Sequence, residues 1–323
     1  MSGRISANAF SSKTSSLGVS EETVSSWLNN SYVTYASVDF GNNTKGIKVN
    51  YSMGQWVDWS KLYGGVIEIR LGGPSGTIIA KFTPSPVYLV DSGTSYITAY
   101  IGLLDGVSET GVHPLTFVCK ESLWSFSLAY FELSDFADRS AVQTLIKGSE
   151  ISSNFGVQIT LELTVGWFEN DDFVTYSQVN FGAPGATKGI LLRYSKDGYE
   201  GNSIEVRLGG PTGQLLGEFV PIDTSSWSNY VDAYVELNAE GVDGIHDLTF
   251  VGKGSGSVLN LESFSIRLAS SSNFPSSSPS KKPSNIRPSN LPSRVHSSRP
   301  SLRPSTGPSV VLSQVPSNDP TIE

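Results

Sequence analysis

Apolar and polar residues alternate with a period of two over much of the first 268 positions. In Ser203–Leu208 (SIEVRL), Ile204, Val206 and Leu208 fall on one face, and Glu205 and Arg207 on the other. The run from Phe173 to Gln178 alternates in the same sense, though less cleanly. A period of two marks a strand with one buried face, and the GGP, DG and GSG clusters bounding these runs are turn signals. No segment sustains an i, i+3, i+4, i+7 pattern for more than about two turns. The pattern therefore predicts antiparallel strands assembled as an all-β sandwich, a jelly roll. The GGP–S/T–G element reads as a tight turn, since Gly accepts positive φ and Pro presets its own.

The strand pattern occurs twice. YVTYASVDFG (Tyr32–Gly41) recurs as FVTYSQVNFG (Phe173–Gly182). VIEIRLGGPSG, ending at Gly76, recurs as SIEVRLGGPTG, ending at Gly213. GVHPLTFVCK from Gly111 recurs as GIHDLTFVGK from Gly244. The order is kept while the offset drifts from 141 to 137 to 133, as loop insertions and deletions require. The expected organisation is one β-sandwich at 1–135, a second at 142–270, and a tail at 271–323.

The tail alters the picture of the whole chain. It repeats Pro–Ser every few positions and has almost no apolar residues, so it is expected to be disordered. Lys281, Lys282, Arg287, Arg294, Arg299 and Arg303 make it basic, although the 323-residue chain has a net charge of -8. The body is thus acidic, and without clustered Lys and Arg it is not expected to bind nucleic acid. One cysteine, Cys119, excludes a disulfide within the chain, and its strand position suggests a buried thiol. No apolar run reaches membrane-spanning length, and MSGRISANAF has no charged segment leading into an apolar one, so neither a span nor a secretory signal is expected.

Candidate chemistry concentrates in polar loops of the second copy. Trp167 precedes a strand beside Glu169, Asn170, Asp171 and Asp172, and Trp227 lies within DTSSWSN. Tryptophans with so little apolar company suit a groove better than a core. Two aromatic faces can hold the C–H face of a pyranose, and an amide beside them can bond its hydroxyls. Asn260 is the candidate amide. His113 and His246 recur at equivalent turn-to-strand junctions, which favours a structural role.

GWFENDDFVTYSQVNFG, VRLGGPTG, TSSW, GIHDL and GSVLNLESFSI, in that order, resemble the family 6 carbohydrate-binding modules. The resemblance covers essentially the whole second copy and, more loosely, the first. It implies a β-jelly roll whose loop-end site holds sugar between Trp167 and Trp227, with Asn260 alongside. It also implies a structural calcium, for which Glu150 fits the opening-strand position and Glu262 replaces an Asp in the closing strand. In the first copy the resemblance assigns Trp27 to an aromatic position and leaves Tyr88 to substitute for the missing second tryptophan. Alignment of the closing strands places Ser125 where the second copy has Asn260.

The expectation is non-catalytic binding of polysaccharide or oligosaccharide, chiefly by the second copy, in an extracellular or cell-wall setting. Two alternatives stay open. The chain is the binding region of a glycoside hydrolase whose catalytic domain lies elsewhere, or it is a structural wall protein anchored by its tail. Hydrolysis would need two carboxylates facing one cleft, and the two copies leave no room for a catalytic domain.

Overall fold

The computed structural model describes residues 3–53, 65–86, 96–139, 141–160, 162–198 and 201–268. The predicted tail lies outside the described residues.

Eleven strands form the first copy among the described residues. They are β1 (Ile5–Ser6), β2 (Ser12–Lys13), β3 (Gly18–Val19), β4 (Val24–Trp27), β5 (Tyr32–Asp39) and β6 (Gly46–Met53). They continue with β7 (Val66–Leu71), β8 (Thr77–Phe82), β9 (Ile97–Gly102), β10 (Val112–Lys120) and β11 (Leu123–Ser134). The second copy opens with β12 (Ile146–Lys147), β13 (Ser153–Phe155), β14 (Gln158–Ile159), β15 (Val165–Gly166) and β16 (Phe173–Gly182). It closes with β17 (Thr187–Lys196), β18 (Ser203–Leu208), β19 (Gln214–Phe219), β20 (Ser226–Glu236), β21 (Gly244–Lys253) and β22 (Asn260–Leu268). Adding eleven to a strand number in the first copy gives its counterpart in the second.

The sheets obey the same rule. In the first copy the orders are β3-β4-β11-β6-β9, with β1 also on β11, and β2-β5-β10-β7-β8. In the second they are β14-β15-β22-β17-β20, with β12 on β22, and β13-β16-β21-β18-β19. Every pairing is antiparallel, so each copy is a two-sheet sandwich of jelly-roll type.

Inward positions of the alternating strands make the core. Tyr35 meets Phe117 and Phe131 edge-on in the first sandwich, with Tyr35 and Phe131 centroids 4.8 Å apart and the two phenylalanines tilted against each other. Tyr176, Phe250 and Phe264 repeat the arrangement, again with 4.8 Å between Tyr176 and Phe264. Each buried ring contributes roughly 1.5–3 kcal/mol by leaving water. The tyrosine hydroxyls donate to the opening segments, Tyr35 to Ala7 O (2.7 Å) and Tyr176 to Gly148 O (2.9 Å). Buried Thr34 and Thr116 hydroxyls pair at 2.9 Å, and Thr175 and Thr249 pair at 2.8 Å.

The GGP turns are braced identically. Arg70 Nη1 donates to Gly76 O (2.9 Å) and Arg207 Nη1 to Gly213 O (2.7 Å). His113 and His246 place Nε2 against Thr110 O and Asp243 O and lie edge-on to Phe40 and Phe181, matching the expected structural role. Cys119 is fully buried, and burial pushes its thiol up to about 12, so it stays protonated. The two sandwiches belong to one compact unit, joined through a 3₁₀ turn at Ala137–Arg139. No described helix is long and apolar enough to cross a membrane.

Candidate functional site

At one end of the second sandwich, Thr160, Trp167, Trp227, Ser257 and Asn260 line a cavity of about 380 Å³. That volume lies within the range of small-molecule sites, about 300–1,000 Å³. None of the five side chains is ionisable, so the groove suits a neutral, hydroxyl-rich ligand. The structure thus brings together Trp167, Trp227 and Asn260, which are far apart in sequence.

Local backbone explains each placement. Trp167 follows β15 with φ of 57°, the left-handed region that L residues seldom enter. This break throws the indole outward, leaving it 38% exposed, while the next residue, Phe168, is fully buried. Asn260 begins β22 opposite Gly166, since Val165 pairs with Leu261. A Cβ on Gly166 would stand 2.5 Å from Asn260 Oδ1, so only glycine admits the amide there. Trp227 enters β20 behind a loop organised by its own polar groups. Ser225 N donates to Asp223 Oδ1 (2.7 Å), and Asn229 Nδ2 donates to Thr224 O (2.8 Å). Ser195 Oγ and Asn260 Nδ2 both donate to Trp227 O, tying the amide to the second tryptophan.

Thr160 and Ser257 were not picked out from sequence. Thr160 closes the β14–β15 turn, its hydroxyl 2.8 Å from that of Thr164. Ser257 lies in the Gly/Ser turn before β22, where composition announces a turn and not a ligand contact. Nearby, Tyr230 donates to Glu162 Oε2 (2.8 Å).

Among the described residues the first copy shows no such assembly, and Trp27 requires a correction. Its side chain is fully buried, with Nε1 donating to Val24 O (2.9 Å) and the ring edge-on to Phe126 at 5.6 Å. Tyr32 is equivalent to Phe173, so counting back five residues equates Trp27 with buried Phe168. Ser26, with φ of 60°, is the counterpart of Trp167. A one-residue slip moves a side chain to the opposite face. Ser125 is corrected likewise. Asn260 lies opposite Ser195 beside the Leu261–Tyr194 pair, and Ser127 lies opposite Ser52 beside the Leu128–Tyr51 pair. Ser127 therefore holds the amide position, facing Ser25 where the second copy has Gly166. Tyr88 lies outside the described residues.

The donor set proposed for calcium does not fit that ion. Arg139 Nη2 lies 3.1 Å from Glu150 Oε2, and Arg193 Nε lies 2.5 Å from Glu262 Oε2. Calcium takes six to eight oxygens, with several carboxylates turned to one point. Here two different guanidinium groups claim the two carboxylates. Among the described residues no three Asp, Glu, His or Cys side chains gather as a metal cluster.

Residues 147–267 match the family described as "Carbohydrate binding module (family 6)". The second sandwich carries that match, and the first repeats its strand order and sheet topology. An endo-1,4-beta-xylanase A of Thermoclostridium stercorarium is 27% identical over 262 residues, which is 77% of this chain and 36% of the relative. An arabinoxylan arabinofuranohydrolase of Paenibacillus polymyxa is 32% identical over 103 residues, 32% of this chain and 16% of the relative. A family 6 module of Clostridium cellulolyticum, solved with xylose, is 33% identical, with 38% and 96% of the two chains covered and a TM-score of 0.35. The chain spans 36% and 42% of the length of the first two curated relatives it matches. The description of the matched family is carbohydrate binding, and the match is confined to the second sandwich.

Proposed function

We propose that the second sandwich binds a neutral polysaccharide of the xylan or β-glucan class, with the sugar held between Trp167 and Trp227 and its hydroxyls met by Asn260. The observation that carries this reading is the convergence of those three side chains on one uncharged groove. The names of the relatives favour xylan. One is by name an endo-1,4-beta-xylanase and another an arabinoxylan arabinofuranohydrolase. Among the described residues no carboxylate lines the groove, which supports binding without hydrolysis, since glycosidases flank the scissile bond with two.

A second reading concerns the setting of the module. The relatives that align with most of this chain are much longer enzymes, which favours an extracellular role as the binding region accompanying a glycoside hydrolase. Affinity electrophoresis of the full chain in gels containing xylan, β-1,3-glucan or cellulose derivatives tests the ligand class. Retardation by xylan or a β-glucan is expected. Migration unaffected by every neutral polymer would overturn the proposal.

A further inference from the structure

The segment between the sandwiches supplies a side chain that neither sandwich needs for its own core. Arg139 ends the 3₁₀ turn and is 3% exposed. A buried guanidinium is tolerated only where its charge and N–H groups are matched. Nη1 donates to Ser177 O (2.7 Å), and Nη2 donates to Glu150 O (2.9 Å) and Glu150 Oε2 (3.1 Å). All three oxygens belong to the second sandwich, while Nε is buried without an acceptor. On its other side the guanidinium lies over the ring of Tyr100 in β9, 3.8 Å from the centroid. Tyr100 donates to Asp138 Oδ2 (3.1 Å), which also accepts from Lys48 Nζ (2.7 Å).

The contact continues away from this centre. Asn154 Nδ2 donates to Thr83 O (2.9 Å), and Ile159 N donates to Pro86 O (3.0 Å). Strand β9 passes close to β16, and a Cβ on Gly102 would lie 3.3 Å from Gln178 Nε2. Two carbonyls and a carboxylate converging on one point form an oxygen cage suited to a hard cation. In this chain a planar guanidinium fills it, and the fork geometry of arginine matches several oxygens at once. The count from Ala7 and Gly148 puts Ala9 opposite Glu150 in the first copy, so this cage has no counterpart there.

We propose that Arg139 brings to Glu150 the positive charge a calcium ion would otherwise supply, and thereby locks the first sandwich onto the second as a calcium-independent tandem. The first copy then serves as a fixed structural partner for the sugar-binding copy. This proposal does not depend on which sugar the groove takes.

Calorimetric unfolding of the full chain tests it. The wild type should melt in one transition that neither EDTA nor a later excess of calcium moves. Arg139→Met should split that transition in two and lower the one belonging to the second sandwich, while Arg139→Lys should be intermediate. A wild-type transition that rises when calcium follows EDTA would overturn the proposal, as would an Arg139→Met protein melting like the wild type. If Arg139→Met does not fold, Tyr100→Leu removes only the first sandwich's side of the stack. That variant should show two transitions and keep sugar binding; a single unchanged transition would overturn the inference.

Discussion

Gly166 and Asn260 decide together whether a loop end can hold an amide. The 2.5 Å approach of Oδ1 to a notional Cβ means that Gly166→Ala must push the Asn260 side chain aside. The backbone of Gly166 does not have positive φ, so the fold should tolerate alanine. The expected outcome is a loss of sugar affinity comparable to Asn260→Ala with little change in melting temperature, read by titration calorimetry and thermal denaturation. The first copy carries Ser25, Ser26 and Ser127 at the positions of Gly166, Trp167 and Asn260, so its loop end changed as a set. Trp27, by contrast, belongs to the core. Trp27→Ala should cost about 3–5 kcal/mol of stability, the usual toll of a large aromatic deletion, measured by denaturant unfolding. Trp167→Ala should leave unfolding nearly unchanged and remove about 2 kcal/mol of binding energy, typical of a central aromatic contact.

Strands and turns show what the sequence made legible and what it hid. The period of two and the three repeated blocks were enough for the two sandwiches, because inward alternation and turn residues act locally. Trp167 and Trp227 stand out in the sequence because polar residues crowd the loops around them, and Asn260 because an amide opens an otherwise apolar strand run. Trp27 was misplaced because left-handed φ at Ser26 and Trp167 sets which neighbour faces out, and no residue type announces that angle. Gapless alignment of the closing strands points to Ser125, because the register shift between Leu128 and Tyr130 is invisible in composition. Only the family resemblance marks Glu150 as a metal ligand, and its arginine partner, eleven residues away in a different segment, carries no sequence signal.

The turn before β16 carries its own prediction. Asp172 Oδ2 accepts from Glu169 N (2.9 Å), and Gly156 lies so close to this carboxylate that no Cβ fits. Burial first, then the nearby carboxylates Glu169 and Asp171, raise the Asp172 carboxyl to about 6, against the opposing hydrogen bond from Glu169. The folded form therefore holds this proton where the unfolded form has released it, and stability falls as pH rises from about 4 to about 6. Asp172→Asn removes that term. It should gain stability relative to wild type across this window and hold a constant difference above it, measured by urea unfolding at stepped pH.

At the scale of the whole molecule, two sandwiches of one topology differ at their loop ends. The second keeps an uncharged groove with two tryptophans and an amide, and the first keeps the fold, with core side chains or serines at the matching positions described. Duplication therefore does not imply two equal sites, and no avidity between identical grooves is expected. Titration of the full chain with a soluble oligosaccharide of the polymer it retains in affinity gels tests this most directly. The account predicts one site per chain, with affinity lost in both Trp167→Ala and Trp227→Ala. Two equivalent sites per chain, or binding undiminished in both variants, would contradict it.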